Sequence, residues 1–276
     1  MALVLLSSSA AVAGEGEQKV RSEDGTLIGF ECAGSGPELL IVPGGSGVRT
    51  RWLPMFSYLT KDFTVCAMDR RGYGGSTDAM PYSLEKEARD VSAVVQSRGR
   101  PVAVLGHSFG GLIAYEAARR TPAISQLILY EAPIAYGDHG VVLDKVEALL
   151  AAGDRDGAGR SFLAGFNGLS NTELDSMQAQ PSWPNLVAGL DLSVRQMRAL
   201  NSYRWNETLA KQMRTPTLLL SGSRTTNTEN LASMKTLADT LPHRDVALLE
   251  GQEHLAMVYD PAQLAEVIKR FLLKPR

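Results

Sequence analysis

The stretch of the sequence that most suggests chemistry is GHSFG at residues 106–110. An apolar, β-branched run (102–105) precedes it, and a helix-like run (112–120) follows it. Gly-x-Ser-x-Gly between a strand and a helix is typical of a catalytic nucleophile, because the two glycines make room for a strained turn that exposes the serine hydroxyl. The pattern therefore predicts Ser108 as a nucleophile. An ordinary tight turn is the alternative interpretation.

A serine hydroxyl reacts readily only when a base takes its proton. His254 stands in EGQEHLAM, directly after the strand-like run 246–249 and before the last helical stretch, so it is the predicted base. A solvated loop histidine is the alternative. His107 adjoins the serine on a tight turn and is expected to point elsewhere, whereas the polar surroundings of His139 and His243 predict surface residues.

Acyl transfer also needs N–H donors for the oxyanion that develops in the transition state. The N–H of Phe109 would lie at a helix N-terminus, where the potential is positive. A second donor is expected in PGGSG (residues 43–47), where no side chain blocks the backbone of Gly45; Ser46 is the reserve candidate.

The elements around these residues alternate between strands and helices. Strand patterns at 19–21, 27–33, 38–42, 63–68, 102–105 and 127–130 are followed by a helical stretch without a convincing strand. This alternation predicts an α/β protein with a mostly parallel central sheet and helices on both faces. We divide the chain into a disordered lead-in or signal remnant (1–17), two core segments (18–137 and 214–276) and a helical cap (138–213) inserted after the sixth strand.

Composition excludes several classes of function. The 276 residues are 44% hydrophobic and 21% charged, with a formal net charge of -2, so no basic stripe invites nucleic acid or an acidic membrane. The four histidines lack metal-ligand spacing, and no dinucleotide fingerprint occurs, so we expect no metal and no cofactor, with a small molecule as the partner. Cys32 and Cys66 are expected to be buried free thiols.

The N-terminus, MALVLLSSSAAVAGEG, has no basic residue before its short apolar run. It therefore fits a secretory signal poorly, and we expect a cytoplasmic protein, with export through an atypical signal in residues 1–13 as the alternative.

Four motifs together resemble the α/β-hydrolase superfamily, and specifically its small capped serine hydrolases, over about residues 18–274. PGGSG is similar to the family's oxyanion loop, MDRRGYGGST (68–77) to its Asp-x-Arg-Gly-x-Gly-x-Ser turn, GHSFGG to its nucleophile elbow and GQEHLAM to its histidine loop. The resemblance implies the α/β-hydrolase fold. Ser108 argues against epoxide hydrolases and haloalkane dehalogenases, which carry an aspartate at this position.

The resemblance also implies an acid that orients the histidine, and here the sequence departs from the family. The usual aspartate after the strand that follows the cap is replaced by Thr225. Some family members place the acid, often a glutamate, after the preceding strand, where Glu131 stands in LILYEAP. Glu131 is therefore favoured, and Glu229 is the alternative.

The remaining residues of interest have structural interpretations. Asp69 is expected to tie its own turn together, and Arg70 and Arg71 to be packing and surface charges. The apolar side chains of the predicted cap could line a pocket, but packing accounts for most of them: Phe162, Phe166, Met177, Trp183, Met197, Tyr203 and Trp205. The sequence thus indicates hydrolysis of a small to medium, largely apolar ester. A lyase, a C–C bond hydrolase and a low-turnover binding protein are the alternatives.

Overall fold

A single eight-stranded sheet runs through the centre of the computed structural model, which describes residues 16–45 and 47–275. The strands, in chain order, are β1 (Glu17–Arg21), β2 (Leu27–Gly34), β3 (Glu38–Val42), β4 (Thr64–Met68), β5 (Val102–His107), β6 (Ile124–Tyr130), β7 (Thr217–Gly222) and β8 (Arg244–Leu249). Their spatial order is β1-β2-β4-β3-β5-β6-β7-β8. From β4 to β8 every pair is parallel, whereas β1 and β2 pair antiparallel. The predicted α/β fold with a mostly parallel sheet is confirmed.

Helices cover both faces of this sheet, as alternation along the strands requires. Leu40 and Val42 of β3 join one apolar cluster, and their neighbours Leu39 and Ile41 join the other. A 3₁₀ helix occupies Arg49–Met55. The α-helices are α1 (Phe56–Leu59), α2 (Leu84–Ser97), α3 (Phe109–Ala118), α4 (Gly140–Ala151), α5 (Arg155–Asn167), α6 (Asn171–Gln178), α7 (Trp183–Ala188), α8 (Leu190–Ser202), α9 (Glu207–Lys211), α10 (Thr228–Thr240), α11 (Ala256–Tyr259) and α12 (Pro261–Leu272).

The segment between β6 and β7 is helical, as its pattern predicts, and contains α4 to α9. It has apolar clusters of its own, one of them around Leu143, Val146 and Leu190. The aromatic side chains predicted there mostly serve packing: Trp205 contacts the Tyr115 ring at 5.0 Å, and Trp183 donates to Asp156 at 2.7 Å. The division of the chain into core and cap stays a prediction. No helix in the described part of the chain is long and apolar enough to cross a membrane.

The expectation of two free thiols is wrong. Cys32 on β2 and Cys66 on β4 are direct cross-strand neighbours, and a disulfide joins them. Sequence spacing alone gave no sign of this pairing, because it depends on β2 and β4 being adjacent in the sheet. Structural disulfides are more typical of oxidising compartments than of the cytosol. The expected lead-in lies mainly outside the described residues (1–15), and β1 begins at Glu17.

Candidate active site

Ser108 lies in a sharp turn between β5 and α3, with a φ of 53°, a conformation that few non-glycine residues adopt. The flanking glycines are required by close contacts. A Cβ on Gly106 would lie 2.5 Å from the carbonyl oxygen of Gly110, and a Cβ on Gly110 would lie 2.3 Å from that of Pro43. The sequence pattern therefore has the steric basis that the nucleophile-elbow interpretation requires. The side chain of Ser108 is half-buried, at the carboxyl edge of the sheet.

Glu131 directly follows β6, the strand beside β5, and is fully buried. It is the other described non-glycine residue with a positive φ, at 48°. Its Oε2 lies 2.6 Å from His254 Nδ1, and its Oε1 accepts a hydrogen bond from the Gly222 N–H at 3.0 Å. The structure thus brings together the predicted acid and the predicted base. Strained backbone conformations of this kind cost about 1–3 kcal/mol each and concentrate at functional sites.

Thr225, which occupies the family's usual acid position, donates its hydroxyl to Glu131 Oε1. The amide of Asn230 also donates, to Oε2 at 3.3 Å. A carboxylate that enters from the end of β6 therefore reaches the place next to β7 that an aspartate at position 225 would occupy. Glu131 thus places a carboxylate beside both Thr225 and His254.

Two opposing effects set the pKa of the Glu131 carboxyl. Burial raises this pKa, but hydrogen bonds from His254, Thr225 and the Gly222 N–H outweigh burial and hold the pKa below its ordinary value. Glu131 is therefore ionised at neutral pH and can only accept hydrogen bonds. The facing Nδ1 of His254 then carries the proton, which leaves Nε2 of a neutral imidazole with a lone pair that can accept one.

The loop that carries His254 is fixed by side chains from the ends of β5 and β6. The hydroxyl of Tyr130 donates to the carbonyl oxygen of Glu253 and accepts from the N–H of Ala256 at 3.2 Å. His107 Nε2 donates to the carbonyl oxygen of His254 at 2.8 Å. These contacts hold the backbone at His254 and on both sides of it in the sequence.

His107 has a structural part that the sequence analysis missed. Its ring lies 4.5 Å from the His254 ring and 5.6 Å from the Trp52 ring, centroid to centroid. Burial lowers the pKa of His107 well below its ordinary value, and the charge of a protonated His254 adds to this effect. His107, which directly precedes Ser108, is therefore a neutral donor that connects the end of β5 to the loop of His254. The prediction that it points away from the serine gave no hint of this contact.

The loop after β3 lies against the elbow. A Cβ on Gly44 would lie 3.0 Å from Ser108 Cβ, and Gly44 is buried, whereas Gly45 is exposed. Apart from its chain neighbours, no described atom lies within 4 Å of where a Cβ on Gly45 would stand. Phe109 is the first residue of α3, so its N–H has no acceptor within the helix. Ser46, the reserve donor, lies outside the described residues.

Glu229, the alternative acid, is engaged elsewhere. Its Oε1 accepts from the Gly137 N–H at 2.9 Å and lies 3.0 Å from His139 Nε2. His139 is thus a half-buried partner of Glu229 rather than a free surface residue, whereas His243 is exposed as predicted. These contacts favour Glu131 over Glu229 as the partner of His254.

Asp69 stabilises its turn, as the sequence predicts. Its carboxylate accepts from the Gly75 N–H at 2.8 Å and from the Arg49 N–H at 2.7 Å. The Arg49 side chain also forms an ion pair with it. The described residues contain no group of three or more His, Cys, Asp or Glu side chains that could hold a metal ion.

The sheet order, the elbow and the pairing of His254 with a buried carboxylate define an α/β protein with a hydrolase-like site. Residues 39–267 match the model of the alpha/beta hydrolase family. Because this match covers most of the sequence, the chain belongs to that family.

Known proteins agree with this assignment. The chain is 27% identical over 257 residues to the "Putative carbamate hydrolase RutD" of Pseudomonas savastanoi pv. phaseolicola, a match that covers 87% of this chain and 96% of that protein. It is 34% identical over 97 residues to the protein of the same name from Cronobacter sakazakii, over 34% of this chain and only 36% of that one. The crystal structure of an alpha/beta hydrolase from Sphaerobacter thermophilus covers 92% of this chain and 100% of its own, with 30% identity and a TM-score of 0.78.

Proposed function

We propose that this protein is a serine hydrolase that cleaves carboxylic esters of small to medium, largely apolar substrates. Ser108 is the nucleophile, His254 the base and Glu131 the orienting acid. One observation carries the proposal: the fully buried Glu131 carboxylate lies 2.6 Å from His254 Nδ1 at the carboxyl edge of the sheet, next to the elbow that presents Ser108. This is the base-and-orienter part of a serine hydrolase triad.

In the first half-reaction, Ser108 Oγ attacks the ester carbonyl carbon as its proton passes to His254 Nε2. The ionised Glu131 stabilises the resulting imidazolium. The N–H groups of Phe109 and Gly45 stabilise the oxyanion of the tetrahedral intermediate, and one such donor typically contributes about 2.7–4 kcal/mol in the transition state. The intermediate collapses when the C–O bond to the alcohol breaks and the alcohol takes the proton from His254.

In the second half-reaction, a water molecule gives a proton to His254 and attacks the acyl carbon. The acid is released, and Ser108 regains its proton. The contacts of Thr225 with Glu131 also bear on the low-turnover alternative. The absence of an aspartate at position 225 favours a binding protein, but Glu131 supplies a carboxylate beside Thr225.

Cleavage of a carbamate is a second candidate. It is favoured by the relative named "Putative carbamate hydrolase RutD", whose match covers 96% of that protein. Both reactions are acyl transfers to Ser108 and differ in the leaving group and in the reactivity of the carbonyl carbon. An ester panel and a carbamate panel on the same enzyme would decide between them.

The test is a stopped-flow series with p-nitrophenyl esters of increasing acyl length, on the wild type and on Ser108→Ala. We expect turnover by the wild type that falls to the buffer rate in Ser108→Ala, with both proteins equally folded by circular dichroism. Equal rates for the two proteins would refute the assignment of Ser108. Turnover confined to p-nitrophenyl carbamates would replace the ester with the second candidate.

A further inference from the structure

Two adjacent arginines, Arg70 and Arg71, are both fully buried, as packing residues are, and so are not the surface charges that were also expected. Each forms a two-point ion pair with a carboxylate of α2. Arg70 Nε and Nη2 lie 3.0 and 2.6 Å from the two oxygens of Glu87, and Arg71 Nε and Nη2 lie 2.6 and 2.7 Å from those of Asp90. The two pairs are therefore nearly equivalent in geometry and burial.

The third nitrogen of each guanidinium has a different partner. Arg71 Nη1 donates at 2.9 Å to Asp24, in the turn between β1 and β2. Arg70 Nη1 instead donates to the carbonyl oxygen of Gly44 at 2.7 Å. The Arg70 guanidinium also lies over the Phe109 ring, with Cζ 4.8 Å from the centroid. The buried Arg70 guanidinium thus contacts Phe109, which carries one proposed oxyanion donor, and Gly44, which precedes the other.

The Gly44 carbonyl oxygen accepts from Arg70 Nη1 and also from the Gly47 N–H at 2.9 Å, and these two contacts together fix the direction of the Gly45 N–H. The Gly44 carbonyl and the Gly45 N–H belong to one peptide unit, and in a trans peptide the C=O and the N–H point in opposite directions. With the Gly44 oxygen facing the buried Arg70 guanidinium, the Gly45 N–H points away from the guanidinium, toward the exposed side of the loop. A cation on the oxygen also polarises the peptide and strengthens its N–H as a donor.

The electrostatics favour a permanent charge at this place. Burial alone would lower the pKa of Arg70, but the Glu87 carboxylate outweighs burial and raises the pKa above its ordinary value. Glu87 neutralises the guanidinium, and Gly44 accepts from its third nitrogen. Since Arg70 is also fully buried, it can act only through the peptide.

We infer that Arg70 is a positioning residue for the oxyanion hole, which holds the Gly44–Gly45 peptide with its N–H toward the developing oxyanion. The inference rests on the proposed function. It predicts that loss of the Arg70–Gly44 contact lowers kcat and leaves KM nearly unchanged, because an oxyanion donor acts on the transition state more than on the bound ester.

The chain supplies a matched control in the Arg71–Asp90 pair. Removing one member of a buried ion pair leaves an uncompensated charge, so both members are replaced together. Asp24, the second partner of Arg71, keeps Lys86 at 3.6 Å as a counter-ion in the control. The test compares Arg70→Met/Glu87→Gln with Arg71→Met/Asp90→Asn in p-nitrophenyl acetate hydrolysis. We expect kcat to fall about 10- to 100-fold in the first double variant and less than about threefold in the second. Binding of phenylboronic acid, a transition-state analogue, should weaken in parallel with kcat in the first only.

Arg70→Lys tests the same contact if the first double variant does not fold, since one ammonium group retains the charge opposite Glu87 but lacks the fork that also reaches Gly44. We expect it to lose kcat in the same direction. Equal kcat losses in the two double variants, or a change confined to KM, would overturn the inference while the proposed function stands. A wild type that neither hydrolyses the ester nor reacts with a fluorophosphonate would overturn both.

Discussion

Replacing Glu131 by glutamine should nearly abolish turnover without unfolding the protein. In the native site, Glu131 Oε1 accepts from the Gly222 N–H and from the Thr225 hydroxyl, and Oε2 accepts from His254 Nδ1. A glutamine has one acceptor oxygen, and the two donors at the Oε1 position hold it there. Its NH₂ group then faces His254, so Nδ1 becomes an acceptor and the imidazole proton moves to Nε2, where the base has to be unprotonated.

The expected loss in kcat is large because the wrong tautomer removes both the base and the charge that stabilises the imidazolium. A triad whose aspartate becomes an amide loses about 10⁴ in kcat, which corresponds to about 5.4 kcal/mol in the activation barrier. We therefore expect a loss of about 10³- to 10⁴-fold in Glu131→Gln. The change is nearly isosteric, so the midpoint of thermal unfolding should change little while kcat falls.

The assay is steady-state hydrolysis of p-nitrophenyl acetate, with Glu229→Gln as the matched control. Glu229 contacts Gly137 and His139 instead of His254, so its replacement should cost less than about tenfold. Adding Thr225→Asp to Glu131→Gln should recover part of the rate, because it restores a carboxylate at the family's usual position. A mild effect of Glu131→Gln together with a crippling effect of Glu229→Gln would refute the assignment of the acid.

Three further predictions concern the rest of the molecule. Because burial lowers the pKa of His107, the unfolded chain takes up a proton below about pH 6.5 that the native chain does not. The free energy of unfolding should therefore fall by up to about 1.4 kcal/mol for each unit by which the pH is lowered. Urea unfolding between pH 7 and pH 5 should show a weaker dependence of this free energy on pH in His107→Gln than in the wild type, and an equal dependence would count against this effect. Reduction of the Cys32–Cys66 disulfide should cost about 2–4 kcal/mol in the same assay, whereas thiols that titrate in the unreduced, denatured protein would show that the bond is absent. Dialysis against EDTA should leave esterase activity unchanged; a loss restored by added metal would contradict the expectation of a metal-free reaction.

Much of the fold could be predicted because its elements are recorded locally. The run Glu38–Val42 is apolar after its first residue, ends in the β-branched Ile41 and Val42, and forms β3 with the predicted bounds. Asp260 and Pro261 mark the start of α12, where the Asp260 side chain accepts from the Gln263 N–H. The glycines of the elbow likewise indicate that the backbone passes close to other backbone there, and they predict the position of Ser108 between them.

The rest depends on which strands become neighbours, and no local pattern contains that information. The disulfide requires β2 beside β4, and the contact of His107 with His254 requires residues 147 positions apart to meet. The burial of Arg70 and Arg71 was missed for a similar reason. Charged side chains are usually exposed, and only the pairing with carboxylates of α2 makes full burial tolerable. Which of Glu131 and Glu229 contacts His254 could also be read only from the three-dimensional structure, since Glu131 follows β6 and Glu229 follows β7, both at the carboxyl ends of the strands.

The most direct test of the central claim, that Ser108 is an activated nucleophile, is covalent labelling with a fluorophosphonate followed by peptide mapping. We expect one adduct per chain, on the peptide that contains Ser108, and strongly slowed labelling in His254→Asn because the base that activates the serine is lost. A full adduct on a different serine, or no covalent adduct on the folded wild-type protein, would contradict this claim.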